Sequence, residues 1–163
     1  MGQRMAIMRD GVLQQCDEPE KVYQHPANRF VASFIGSPPM NFVDATVSGG
    51  RIDAGEFSLA LPAGHPAAAY DGKKVILGIR PEDIADAAIS QKVAATESNT
   101  VAAYVDVMEP LGYEYVSYLT VGKTTLVATL DKDTKVQAGA NAKFVIDTDR
   151  IHIFDADTEA AIR

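Results

Sequence analysis

The 163-residue chain has no tryptophan and a single cysteine, Cys16. One thiol excludes an internal disulfide, so a reducing, cytoplasmic setting is the simplest expectation. No apolar run approaches the roughly 20 residues that a membrane-spanning helix needs. The N-terminal residues also lack the basic-then-apolar pattern of a secretion signal. Positive charge is scarce too: 15 Lys and Arg stand against 22 Asp and Glu, a net charge of −7. Such a surface is poorly suited to neutralising phosphates, which argues against nucleic acid as a partner. Internal repeats and low-complexity tracts are missing as well.

Patterns of catalysis are equally thin. His25, His65 and His152 lie far apart in the chain and in no metal-ligand spacing, so no metal site is expected. There is no Gly-x-Ser-x-Gly element, and Cys16 has no signature of a catalytic thiol. Val121-Gly-Lys-Thr-Thr125 has the tail of a phosphate-binding loop, but the required first glycine would stand at Ser117. Its flanks read as strands, so no helix N-terminus would face a phosphate, and the stretch reads as a hairpin tip. Asp131, Asp133, Asp147 and Asp149 flank turns, where Asp is favoured for local bonding. No catalytic or nucleotide-binding residue is expected.

What the chain does have is strand grammar. Residues 4–9 and 12–15 flank Asp10-Gly11, a tight hairpin turn. Asp17 reads as a helix N-cap, with Pro19 in the first turn and Glu20 reaching back as in a capping box. That helix ends at His25-Pro26, and a second starts at Pro26 or Ala27. Phe30, Val31, Phe34 and Ile35 then form an apolar stripe at helical period, closed by Gly36 and Pro38-Pro39. Beyond it strands are expected at about 42–47, 51–54, 56–61, 74–80, 101–107, 113–121, 124–130, 142–147 and 151–154, with loops at 62–72 and 85–99. Val101, Ala103, Val105 and Val107 are expected on one face. The fold class is therefore mainly β, an OB-like small barrel or sandwich preceded by a β-hairpin and two short α-helices.

Residues 1–43 carry four basic and four acidic groups, which leaves 11 basic against 18 acidic in residues 44–163. This shift coincides with the double proline and sets the domain boundary: 1–43, then 44–163. The initial hairpin reads as the trailing edge of a domain whose bulk is absent, since two strands alone are marginal. Tyr104, Tyr113, Tyr115 and Tyr118 cluster in one hairpin, Tyr113 and Tyr115 on one face and Tyr104 and Tyr118 able to meet across strands. They read as cross-strand packing or as a ligand or partner surface. Gly78-Ile-Arg-Pro-Glu82 leaves an apolar strand with Arg80 and Glu82, either a turn braced by an ion pair or an interface loop.

Four segments together resemble one family. They are Arg4-Met-Ala-Ile-Met-Arg-Asp-Gly-Val-Leu-Gln-Gln15, Pro19-Glu-Lys-Val-Tyr23, the stretch from Pro26 through Arg29-Phe-Val-Ala32, Phe34-Ile-Gly36, Pro38 and Met40-Asn41, and Gly78-Ile-Arg-Pro-Glu82. The chain resembles the ATP-binding subunit of ABC importers of the maltose, multiple-sugar and glycerol-3-phosphate class, with Cys16 where an aliphatic or small residue is usual. From about residue 90 the resemblance rests on strand pattern alone. In that family the phosphate-binding loop, signature motif, catalytic glutamate and switch histidine precede the hairpin. The resemblance thus implies a C-terminal piece, residues 1–43 from the nucleotide-binding domain and 44–163 a transport-associated OB-type (TOBE) regulatory domain. It implies no enzyme activity and no cofactor here; ATP and Mg would belong to the parent subunit.

The resemblance also implies partners: a second copy of the ATPase subunit, permease subunits through the parent protein, and a regulatory protein at the inner face of the membrane. Phe30, Val31, Phe34, Ile35, Met40 and Phe42 are expected to couple the barrel to the absent domain, part of the stripe facing it. Gly78, Arg80, Pro81 and Glu82 are the expected interface or regulatory loop. A rival reading makes the chain a sensor of small oxyanions or sugars, for which Arg51, Lys73, Lys74 and Arg80 are the available cations.

Overall fold

In the computed structural model, which describes residues 2–163, the first two strands, β1 (Met5–Arg9) and β2 (Val12–Asp17), pair antiparallel as a separate two-stranded sheet. Their turn forces positive φ on both Asp10 and Gly11, which Asp-Gly tolerates. Helix α1 (Pro19–Gln24) starts one residue later than expected. Glu18 is its N-cap and makes no side-chain cap bond, while the Asp17 carboxylate accepts from the Glu18 N–H. The expected capping box does not form, because the Glu20 carboxylate instead accepts from Gln24 one turn on.

Helix α2 (Arg29–Phe34) begins after Asn28, whose side chain accepts from the Val31 N–H at 2.9 Å. This cap, rather than Pro26 or Ala27, sets its start. Ile35 ends it and Gly36 takes φ of 112°.

Ten further strands follow: β3 (Asn41–Ser48), β4 (Arg51–Asp53), β5 (Ser58–Ala60), β6 (Lys74–Ile79), β7 (Ile84–Asp86), β8 (Thr100–Pro110), β9 (Glu114–Val121), β10 (Thr124–Asp131), β11 (Asn141–Ile146) and β12 (His152–Asp155). They form two five-stranded sheets, ordered β12-β6-β3-β4-β5 and β10-β9-β8-β11-β7, wrapped into a nearly closed barrel. The mainly β, OB-type expectation holds. One strand was not legible: β7 lies at the start of the expected 85–99 loop, three residues paired with β11.

A single core fills the space between the sheets, with Leu59, Leu77, Leu119, Leu126, Phe144 and Ile146 among its most buried members. Asn41 rivets the sheets polar-to-polar. Its amide donates to the carbonyls of Ile79 and Val127, and its oxygen accepts from the Val127 N–H at 2.7 Å. The inward run Val101, Ala103, Val105 does not extend to Val107, which is exposed. A register shift between Val105 and Val107 inserts Asp106 and turns the later side chains over.

The hairpin and helices sit on the outer face of β12, β6 and β3. Ile7, Val22 and Val31 make one small core, with Met5, Phe30 and Ile35 at its edge. Ala32, Met40, Ile76 and Phe154 make a second, flanked by Phe42 and Ala161. Residues after β12 stitch the two parts together. The Arg29 N–H donates to the Glu159 carbonyl and the Ala161 N–H to the Ala27 carbonyl, both at 2.9 Å.

Candidate functional site

Arg80 is the hub of the joint between helices and barrel. It leaves β6 just before the Pro81–Asp83 3-10 turn and is 2% exposed. Its guanidinium donates to the Ile35 carbonyl at 2.9 Å and the Tyr23 carbonyl at 2.7 Å, the ends of both helices. It also lies 3.8 Å from the centre of the Tyr23 ring, a cation–π contact in a desolvated place. Carbonyls at helix C-termini carry partial negative charge, so one buried cation serves both. The Glu82 pairing considered from sequence does not occur: Glu82 is exposed, and Arg80 is spent on backbone.

The rest of the Gly78–Glu82 motif serves the same joint. A Cβ on Gly78 would meet Met40 Sδ at 2.5 Å and Phe154 at 3.0 Å, so only glycine admits the chain before β3. Pro81 is buried. Of the four motif residues named above, Glu82 alone faces outward.

Beside Arg80 opens a cleft of about 360 Å³, lined by Tyr23, His25 and Pro26 on the helix side and by Asp83, Arg150 and His152 on the barrel side. His65 and Arg163 complete its rim. The three histidines, scattered in sequence, share this one cleft. They do not make a metal site: among the described residues no group of three or more His, Cys, Asp or Glu is arranged to hold an ion. Burial holds the His152 imidazole down to about 4, with Arg80, His25 and Arg163 adding repulsion. Burial pushes the Asp83 carboxyl up to about 6, helped by Glu82, while Arg150, 3.8 Å away, partly offsets it. Burial lowers Arg80, and Asp83 pulls the other way.

The coupling residues fall on both sides of the small cores. Val31 and Met40 are fully packed, Phe30, Ile35 and Phe42 are half-buried, and Phe34 is 66% exposed. Phe34 belongs to a set of exposed apolar side chains that includes Met8, Val12 and Leu13 of the hairpin. A second exposed set, Tyr104, Val107, Leu111 and Tyr113, runs along the β8–β9 hairpin.

Other sequence candidates separate. No tyrosine pair stacks among the described residues, so the aromatic platform does not form; Tyr115 packs on the core and Tyr113 is 75% exposed. Arg51 is engaged with Ser58, and Lys73 lies over Tyr70. Lys74 and Arg80 stand at opposite ends of β6, about 20 Å apart at strand rise. The four cations of the oxyanion reading therefore do not converge. The Gly122-Lys123 loop is a hairpin tip between β9 and β10, and the Glu56 carboxylate accepts from the Lys123 N–H, where a phosphate loop would leave its amides free.

Sequence reasoning singled out Arg80 and the three histidines but missed that they meet in one cleft. Arg150, His152 and Arg163 carry no motif, and only the pairing of β12 with β6 brings His152 opposite Gly78. A hint was available in the tail beyond residue 154, whose apolar Ala161 and Ile162 ask for a place to pack.

Comparison with known proteins places two family models on the chain: the MalK OB fold domain over residues 36–84 and the TOBE domain over residues 77–154. The trehalose/maltose import ATP-binding protein MalK of Thermococcus litoralis is 46% identical over 167 residues, covering 99% of this chain and 45% of that protein. The oligosaccharides import ATP-binding protein MsmX of Bacillus subtilis is 37% identical, covering 100% of this chain and 45% of that protein. The chain thus spans about 45% of the length of these curated relatives. Among solved structures, the cytoplasmic molybdate-binding protein ModG matches with a TM-score of 0.57 at 18% identity, covering 69% of this chain and 94% of that one. At that identity the likeness concerns the fold alone.

Proposed function

The chain belongs to the OB- and TOBE-domain family of sugar-import ABC ATP-binding proteins, and on that premise we propose that it is a non-catalytic regulatory and dimerisation module of an importer ATPase subunit. The observation that carries the reading is the distribution of exposed apolar surface. One set, Met8, Val12, Leu13 and Phe34, lies on the hairpin and α2; the other, Tyr104, Val107, Leu111 and Tyr113, lies on the barrel. Exposed apolar clusters of this kind mark contact surfaces.

Residues 1–43 close the nucleotide-binding domain of the parent subunit, and the first set faces the rest of that domain. Residues 44–163 form the regulatory domain, whose β8–β9 set meets its own copy in a second subunit across a two-fold axis. The Arg80 joint keeps the two parts in fixed orientation, so that movement of a catalytic half reaches the barrel. ATP, Mg and hydrolysis belong to the parent, which works with permease subunits at the inner face of the membrane and drives uptake of a sugar or sugar-like solute. A regulatory protein acting on the barrel would hold the catalytic halves apart.

Sedimentation velocity on the 163-residue chain tests the contact. A concentration-dependent monomer–dimer equilibrium is expected, weakened by Tyr113→Ser with Leu111→Ser and unchanged by Lys92→Ser. A strict monomer at high concentration, or a dimer indifferent to the β8–β9 changes, overturns the proposed contact.

A further inference from the structure

Three arginines and all three histidines of an otherwise acidic chain line one cleft. Arg150 is engaged with Asp83, which also acts on Arg80, and Asp149 is the second carboxylate of the lining; among the described residues no ion pair is made by Arg80, Arg163 or a histidine of the cleft. At His152 every charged neighbour that influences the ring is a cation: Arg80, His25 and Arg163. Folding has therefore gathered Arg80, Arg150 and Arg163 around one opening, Arg80 buried and the other two exposed, a positive lining that an anion would complement.

A second observation points the same way. Arg80 is 2% exposed and its Nε, the donor not used on Tyr23 and Ile35, is buried with no hydrogen-bond partner among the described residues. A buried guanidinium donor left unmade is costly, and a ligand oxygen would satisfy it. The size of the cleft, about 360 Å³, lies in the range of small-molecule sites rather than of a bare oxyanion. Part of its wall is apolar, from Pro26, Ile151, Ile153 and Ile162, beside the polar Gln24, Asp83 and Asp149.

We propose that this cleft binds a small organic phosphate, its phosphate group held by Arg80, His152 and Arg163 with His25 beside them, and its organic body against the isoleucine wall. Phosphate is favoured over carboxylate because the donors line the cleft from three chain segments: His25 just after α1, Arg80 at the end of β6, and His152 and Arg163 of the β12–tail region. A group with three terminal oxygens matches three directions, whereas a carboxylate offers two oxygens in one plane. Because the cleft is walled by the end of α1 with His25 and Pro26 on one side and by the barrel on the other, an occupant touches both parts at once. Binding stands apart from the dimerisation reading and can hold or fail without it.

Nuclear magnetic resonance titration of the 163-residue chain with glucose 6-phosphate, inorganic phosphate, citrate and glucose tests this. Glucose 6-phosphate should give saturable shifts centred on His152, His25 and Arg80, with inorganic phosphate moving the same signals more weakly and glucose none. The imidazole of His152 should titrate at higher pH in the presence of glucose 6-phosphate, which a merely structural histidine would not do. Arg163→Gln, at an exposed position, should weaken binding about ten-fold or more, as loss of a charge-assisted bond does. Lys74→Gln, at the far end of β6, should leave it unchanged. Absence of saturable shifts, equal affinity in Arg163→Gln, or citrate binding as tightly as glucose 6-phosphate would overturn the proposal.

Discussion

The hairpin and helices and the β-barrel solve the same problem by opposite means. The barrel closes its sheets around one core, so almost every large aliphatic side chain of β3–β12 finds an interior. The N-terminal part has no interior of its own. Ile7, Val22 and Val31 make a core too small to stand alone, and Ala32 and Met40 find cover only on the barrel, against Ile76 and Phe154. Met8, Val12, Leu13 and Phe34 find none. The barrel's stability is therefore spread over many contacts, while the N-terminal part depends on a few points of attachment, with Arg80 foremost.

This contrast can be broken from either side. Phe144→Ala, which empties a place in the barrel core, should cost about 4 kcal/mol and lower the urea midpoint of both parts together. Arg80→Ala should cost less, about 2–3 kcal/mol, by orphaning the Tyr23 and Ile35 carbonyls. Its signature should be local: hydrogen exchange accelerates in α1 and α2 and stays slow in β6 and β9. Uniform acceleration would show that the parts do not separate.

The pH dependence sharpens the comparison at the seam. Asp83, raised to about 6 mainly by burial from its ordinary 3.8, adds stability that is complete below pH 3.8 and is lost as pH rises through 6. His152, lowered by burial to about 4 from its ordinary 6.5, adds stability that is complete above pH 6.5 and is lost as pH falls through 4. The two slopes oppose each other between pH 4 and 6. Urea unfolding across that range should show Asp83→Asn gaining on the wild type as pH rises and His152→Gln gaining as pH falls. Parallel curves would remove both groups from the balance.

The smallest effect is expected at the uncovered face. Phe34→Ser should change stability by no more than about 0.5 kcal/mol, because two-thirds of the ring's surface is already in water. A loss above about 2 kcal/mol would show Phe34 to be part of the core, and the contrast between the two regions would fail there.

Much of the fold was readable because its signals are local. Asp10-Gly11 and Gly49-Gly50 must turn the chain with positive φ, and strand alternation across Val101–Val105 faces a core. Where a long-range term competes, local reading slips. The shift at Asp106 exposes Val107, β7 forms only because β11 offers it an edge, and Asn28 takes the cap that proline spacing assigned elsewhere. The joint was half legible: the Gly78–Glu82 motif stood out, but the partners of Arg80 did not. They are backbone carbonyls, 57 and 45 residues away, which no residue type announces.

By itself the sequence determined the hairpin, the two helices, the β class and the family, since these follow from turn chemistry, periodicity and ordered motifs. Tertiary structure alone decided that Arg80 ties two helix ends to a barrel and that His25, His65 and His152 share a cleft. The physical reason is distance along the chain. Periodicity and capping act over a few residues, whereas a buried charge takes its meaning from whatever the closed barrel brings beside it.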